Sequence, residues 1–495
     1  MKQVRLSTSQ IDRGLAETTD KFTEHAQSSL LAFTKFVTPE FRVNWHHRVI
    51  CNHIDKFIKG DITRLMIFLQ PQIGKSELVS RHLPAYLFGK DPNHKVIAAT
   101  YGDSFAALFN LDVQRIMDSD RYRLVFPTVK LAGAGEDGRW IRNSSTFDIV
   151  GRRGRYHSVG VGGSLTGRTG NTLIIDDPVK NDEEARSELF RDRQFRWYAT
   201  VARTRLKKST LGQVPKVLLT MTRWHEDDLA ARLLAIAKSN PKLPQWTVLS
   251  FPAVCEATDN PLDPRSVGEP LWPEMLGLSE LEEIKGTDAR SFFSLYQQRP
   301  SPEEGSIVKR GWWKFYRSMP DQFDAVVQSW DLTFKDSAGS DFVVGAVWGR
   351  RGADKFLLDL IRERMSFTQT LQSFQNLTLK WPLASAKLVE EAANGAALID
   401  TLRKKIPGII PIKPRGSKEN RARSVSPQIE SGNVYLPDPM ICPWVNEFIE
   451  EWAMFPNGKH DDQVDTTTQA LTRLSEMTVM NWSPLSITAR SKWVK

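Results

Sequence analysis

The chain has 495 residues, 40% of them hydrophobic, which is enough to fill more than one core and points to two or three domains. Lys and Arg number 67 against 58 Asp and Glu, and the net charge of +9 favours nucleic acid over a small metabolite as partner. Cys51, Cys255 and Cys442 lie far apart without a CxxC pair, which argues against a disulfide framework or a cysteine zinc site. The first 14 residues lack a signal-like apolar core, and no run approaches the ~18 apolar residues of a membrane span.

Apolar residues Leu30, Leu31, Phe33 and Phe36, then Val49, Ile50, Ile54 and Phe57, recur at helical spacing before Gly60. A short apolar run, Leu65 to Leu69, reads as a strand and is stopped by Pro71. A loop and a helical pattern through Leu78, Leu83 and Leu87 follow it. Further strand-like runs at 95–100, 172–175 and 216–220 alternate with polar helical stretches, as in a mostly parallel, helix-covered sheet.

The loop Leu69-Gln-Pro-Gln-Ile-Gly-Lys-Ser76 ends like a phosphate-binding loop but has Leu69 where the opening glycine is usual. Such a loop aims backbone amides at phosphates, while Lys75 would neutralise the β and γ oxygens and the Ser76 hydroxyl would bind Mg²⁺. Gln72 and Gly74 complete the predicted nucleotide contacts. The strand Thr172-Leu-Ile-Ile-Asp-Asp177 delivers two carboxylates: Asp176 is expected to hold Mg²⁺ through water, and Asp177 to orient the attacking water. Arg168, just before that strand, suits an arginine finger acting on its own or a neighbouring subunit, with a purely structural arginine as the plain alternative. Thr222 and Arg223 follow the next strand, at the sheet edge where ligands bind, and are placed to sense a γ-phosphate.

Composition shifts to Pro, Gly, Ser and charge over about 260–311, and a second strand-and-helix region opens at Ala325. Asp331 ends one strand, with a polar turn at 336–341. Glu390 ends another, and His460-Asp-Asp-Gln-Val-Asp465 opens a helix. Carboxylates from these three places can gather two Mg²⁺ ions about 3.5 to 4 Å apart for attack on a phosphodiester, the chemistry of a ribonuclease H-type nuclease. For the third carboxylate Asp462 is the choice, with Asp461 and Asp465 as neighbours that a helix start presents equally well. The basic run Arg403-Lys-Lys405, Lys413, Arg415, Lys418, Arg421 and Arg423 is placed to neutralise a DNA backbone, Lys413, Arg415, Lys418 and Arg421 above all.

Taken in order, Pro71-Gln-Ile-Gly-Lys-Ser76, Ser164-Leu-Thr-Gly-Arg168, Leu173-Ile-Ile-Asp-Asp-Pro178, Thr222-Arg-Trp-His-Glu-Asp-Asp-Leu229, Glu390-Glu-Ala-Ala-Asn-Gly395 and His460 to Asp465 resemble the large terminase subunit of tailed double-stranded DNA bacteriophages. The resemblance runs from Trp45 to about Leu474. It implies an α/β fold with a P-loop ATPase of the ASCE type and a C-terminal RNase H-like nuclease. Its activities would be ATP-driven packaging of double-stranded DNA into a procapsid and Mg²⁺- or Mn²⁺-dependent cutting of concatemers. The implied partners are a portal protein and a small terminase subunit, and the implied state is a ring of about five copies on the portal and a monomer in solution, in the host cytoplasm and away from membranes. Trp45 and His46 fall where the family's adenine-contacting segment lies, and Thr222 and Arg223 in its coupling motif. Asp177 stands where Glu is more usual. The domains expected are 1–300 for the motor, 301–320 for a linker, 321–475 for the nuclease and 476–495 for a tail. A helicase-nuclease of recombination or repair is the alternative, distinguished by the further motor motifs it would need in a second lobe.

Overall fold

The computed structural model describes residues 20–133, 139–209, 212–302, 305–332, 342–391, 395–403, 406–458, 460–477 and 485–486, without the side chains of 395–398. The polar turn expected at 336–341, Lys404, Lys405 and most of the tail lie outside them. The chain forms two compact units. The first runs through Cys255 and takes in 261–281 and 291–300, and the second comprises 256–260, 282–290 and the chain from Ser301 on.

The first unit is built on seven strands: β1 (Arg64–Phe68), β2 (Lys95–Thr100), β3 (Thr146–Asp148), β4 (Arg155–Gly160), β5 (Thr172–Asp176), β6 (Lys216–Met221) and β7 (Thr247–Ser250). Their order is β3-β4-β2-β5-β6-β1-β7, parallel throughout except for β3 against β4. Strands such as Leu65-Met-Ile-Phe68 and Leu173-Ile-Ile175 are apolar on both faces because both faces are covered. One core packs Ile67, Val96, Ile174 and Leu218 under the helices Leu30–Val37 and Trp45–Lys59, and a second packs Met66, Leu173, Val217 and Leu219 on the other face. The central order places β1, β6 and β5 side by side with their carboxyl ends along one edge, where an open α/β sheet binds ligands.

The second unit holds β8 (Lys314–Tyr316), β9 (Gln322–Phe323), β10 (Ala325–Leu332), β11 (Val343–Arg351), β12 (Asp354–Glu363), β13 (Ala384–Glu390), β14 (Ile409–Ile412) and β15 (Val434–Pro437). Seven of these form a sheet in the order β14-β13-β10-β11-β12-β15-β8, with β10, β11 and β12 antiparallel and β13 joined parallel to β10. The helices Lys418–Glu430, Val445–Met454 and Asp462–Glu476 close one face of this sheet around Trp348, Val425, Trp452 and Leu471. Residues 301–320 do more than link the units: Ile307, Val308 and Trp313 enter the core of the second, and β8 extends its sheet. Among the described residues no helix is long and apolar enough to cross a membrane.

Candidate functional site

The loop after β1 works without its first glycine because other residues supply the bends. Gln72 at φ 63° and Gly74 at φ 84° both take the left-handed region, easily for glycine and at some strain for glutamine. A histidine pair holds the segment from outside. The backbone N–H of Asn44 donates to His47 Nδ1 at 3.0 Å, which leaves the ring proton on Nε2, and Nε2 donates to the Ile73 carbonyl at 2.8 Å. A Cβ on Gly74 would stand 2.8 Å from that same Nε2, so the close approach requires glycine. Burial pushes His47 down to about 4, and burial with His47 alongside pushes His46 down to about 3, so both stay neutral and His47 keeps its donor role.

Lys75, 5% exposed, forms an ion pair of 2.9 Å with Asp177. Asp176 ends β5 and is fully buried. Ser80 donates to its Oδ2 at 2.5 Å, and Ser76 lies within hydrogen-bonding reach. Burial first, and Asp177 next, raise the Asp176 carboxyl above the usual range. Asp177 holds a left-handed φ of 41°, costly for a non-glycine residue and typical of a functional carboxylate. Its Oδ1 accepts from both the N–H of Thr222, at 2.9 Å, and the Thr222 hydroxyl, at 3.2 Å. β1, β5 and β6 thus bring Lys75, the two aspartates and Thr222 into one constellation. Arg223 is beside it: its guanidinium stacks 4.9 Å over Phe68, the last residue of β1, and donates to Asp228 at 2.5 Å.

Two expectations for this site change. His46 is fully buried under the loop, near the Ile73 carbonyl and Trp272, and Trp45 packs on Phe251 with Arg265 over its ring, so the pair braces the loop rather than meeting a base. An open groove of about 1100 Å³ is lined instead by Phe41, Arg42, Val43 and Arg48 among others, and Phe41 reaches within 3.6 Å of a Cβ on Gly74. Arg168 is half-buried near His157 on β4, whose imidazole is pushed down to about 4 by burial and then by this guanidinium. No hydrogen bond or ion pair among the described residues ties Arg168 to Lys75 or Asp177. Sequence reasoning missed His47 and Ser80. A helical i,i+4 spacing from Ser76 could have flagged Ser80, but nothing local marks His47.

In the second unit Asp331 on β10, Glu390 at the end of β13 and Asp465 on the helix Asp462–Glu476 bring ligand oxygens within 4.8 Å of one another, and three carboxylates so placed suit hard divalent ions. The third carboxylate is therefore Asp465 rather than Asp462. One helical turn separates the two, and Asp465 points at Glu390 while Asp462 lies back among Glu451 and Asp331. Burial, then Glu451 and Asp331, push Asp462 up to about 8. Buried Glu451 is compensated by Arg362 at 3.2 Å and by two hydrogen bonds of 2.6 Å from Gln463. Burial and Asp465 together raise Glu390.

The basic residues divide. Lys413, 3.6 Å from Glu391, and Arg415 are exposed as expected of a phosphate-contacting run. Lys418 and Arg421, expected on DNA, instead face the acids: Arg421 donates to Asp465 Oδ1 at 2.5 Å, and Lys418 lies 2.8 Å from Asp465 Oδ2 and 2.6 Å from Asp461 Oδ1. Asp461 is thereby a partner of Lys418 and stands outside the three-carboxylate cluster.

Two family models match the chain in the order of the two sites: a large-terminase-subunit N-terminal model of T4-like virus type over residues 66–285, and a terminase RNaseH-like domain over 328–474. Among solved structures, the full-length large terminase of a thermophilic bacteriophage is 12% identical, with 89% of this chain and 98% of that one covered at a TM-score of 0.29. The same protein with ATP-γ-S is 13% identical, with 84% and 94% covered and the same score. The large terminase nuclease of another thermophilic phage, G20c, with bound magnesium is 15% identical, with 35% and 99% covered at a TM-score of 0.28. No curated protein matches. With a terminase N-terminal model over the phosphate loop and a terminase nuclease model over the carboxylates, the chain belongs to the large terminase subunit family, whose members package viral DNA as ATPases and carry a nuclease.

Proposed function

We propose that the chain hydrolyses ATP at the edge formed by β1, β5 and β6 to move double-stranded DNA into a procapsid, and that it cuts concatemeric DNA at Asp331, Glu390 and Asp465. The observation that carries the motor reading is the Lys75–Asp177–Thr222 chain of contacts, which links the phosphate loop, the acidic strand end and the following strand end. The loop amides and Lys75 hold the phosphates, and Asp177 orients the attacking water. Ser76 and Asp176 would hold Mg²⁺, which supplies charge to the phosphates when bound. Because Lys75 and Thr222 both hold Asp177, a γ-phosphate that draws Lys75 away changes what Thr222 is bonded to, and this is the sensing role of the Thr222-Arg223 segment. The groove by Phe41 and Arg42 is the place for the adenine.

Arg168, remote from its own Lys75–Asp177 pair, serves a neighbouring subunit as the arginine finger. This reading goes with a ring of about five copies on a portal, fed by a small terminase subunit, in the host cytoplasm. In the nuclease, Asp331, Glu390 and Asp465 would hold Mg²⁺ or Mn²⁺, which activates water and clamps the scissile phosphate when bound. Lys413 and Arg415 track the backbone. A helicase-nuclease has no support in the second unit, where the region after the motor is RNase H-like. The test is packaging with procapsids, portal and small subunit. Wild-type protein with ATP protects DNA from added nuclease and Lys75→Ala does not, whereas equal protection by Lys75→Ala would refute the motor assignment.

A further inference from the structure

The cations over the nuclease carboxylates stand where a metal ion has to bind. Asp465 has two carboxylate oxygens, and the structure caps both, Oδ1 by Arg421 at 2.5 Å and Oδ2 by Lys418 at 2.8 Å. Lys418 bridges onward to Asp461 at 2.6 Å. A divalent ion takes a carboxylate oxygen at about 2.0 to 2.6 Å, so it meets both the occupied lone pairs and two positive charges a few ångströms away. Asp465 cannot serve the cations and the ion fully at once.

Both cations sit at the start of the helix Lys418–Glu430, directly after the exposed Lys413 and Arg415, and the Lys418 side chain is 47% exposed. A partly exposed lysine pair is held by little free energy. Arginine and lysine both exchange a carboxylate for a phosphate readily, and arginine can do so with two parallel hydrogen bonds.

We propose that Lys418 and Arg421 gate metal loading. They hold Asp465 and Asp461 while DNA is absent, move onto the phosphates of an arriving duplex, and so release Asp465 to the metal. DNA and metal then bind cooperatively, each strengthening the other by the same factor. The gate keeps the free subunit from cutting at random. It rests on the reading of Asp331, Glu390 and Asp465 as the nuclease centre.

The experiment measures Mn²⁺ binding to the nucleotide-free full chain by electron paramagnetic resonance of the free ion, with and without a short phosphorothioate duplex that resists cutting. Asp465→Asn identifies the binding that belongs to this site. In the absence of DNA, the double variant Lys418→Gln/Arg421→Gln is expected to bind Mn²⁺ roughly tenfold more tightly than wild type. The duplex tightens binding in wild type and not in the double variant, and Lys418→Arg, which keeps the charge, behaves as wild type. Asp465-dependent binding that is equal or weaker in the double variant overturns the gate and leaves the nuclease centre standing. Absence of Asp465-dependent binding in every protein, with and without duplex, overturns the nuclease centre and the gate with it.

Discussion

His47 carries a task that its place in the sequence conceals. Twenty-six residues before Ile73, it fixes that residue's carbonyl between two left-handed residues, so the backbone that should present amides to phosphate is shaped from outside. Removing it leaves a buried carbonyl without a donor, at a cost of about 1 to 3 kcal/mol. His47→Ala should therefore raise the KM for ATP and lower stability in urea, and His47→Gln, whose amide can still donate, should recover part of both. Unchanged ATP kinetics in His47→Ala would remove the bracing role. The pH dependence follows in sign. An unfolded histidine titrates near 6.5, and His47 and His46 are depressed to about 4 and about 3 in the fold. The unfolded chain therefore binds the protons first, and the stability present above pH 6.5 is lost as pH falls towards 4, by up to about 1.4 kcal/mol per pH unit for each ring. Denaturant melts between pH 7 and 5 should show a shallower loss in His47→Gln than in wild type. Neither the contact nor its consequence was legible in the sequence, because a histidine at a helix start next to another histidine has many bland explanations.

At the scale of the element, the short apolar strands could be read because each ends in the residues that do chemistry. β1, β5, β6, β10 and β13 all run as expected and deliver Lys75, Asp176, Thr222, Asp331 and Glu390. The small strands β3, β7, β14 and β15 were not foreseen, since runs as short as 3 or 4 residues carry no period that can be counted. The helix after the loop begins with a π-helical turn, Glu77–His82, that no propensity marks. Within it Ser80 meets Asp176. Ser80→Ala should shift the Mg²⁺ dependence of ATP turnover by roughly 10- to 100-fold, the usual effect of removing an outer partner of a metal-site carboxylate. An unmoved Mg²⁺ titration would show that Asp176 needs no such partner. The third nuclease carboxylate was undecidable for a related reason: Asp461, Asp462 and Asp465 share one helix start, and only the packing of that helix on β10 and β11 turns Asp465 towards Glu390. Asp465→Asn is expected to abolish cutting and Asp462→Asn to reduce it less, as plasmid nicking would show. The reverse order would restore Asp462 to the centre. Lys418 and Arg421 looked like part of a DNA-facing run because their partners lie more than 40 residues away in sequence.

For the whole molecule, two engines lie in two compact units of one chain, each with its own sheet and cores. Their order along the sequence, phosphate loop before carboxylates, is what made the family resemblance visible, and each constellation closes without residues from the other unit. The central claim is that the two chemistries are separable. The most direct measurement follows ATP turnover and Mn²⁺-dependent cleavage of supercoiled plasmid in parallel, for wild type, Lys75→Ala and Asp331→Ala, with EDTA as control. Lys75→Ala should cut plasmid without hydrolysing ATP, and Asp331→Ala should hydrolyse ATP without cutting. Loss of both activities in each variant, with the fold intact by circular dichroism, would contradict two independent sites.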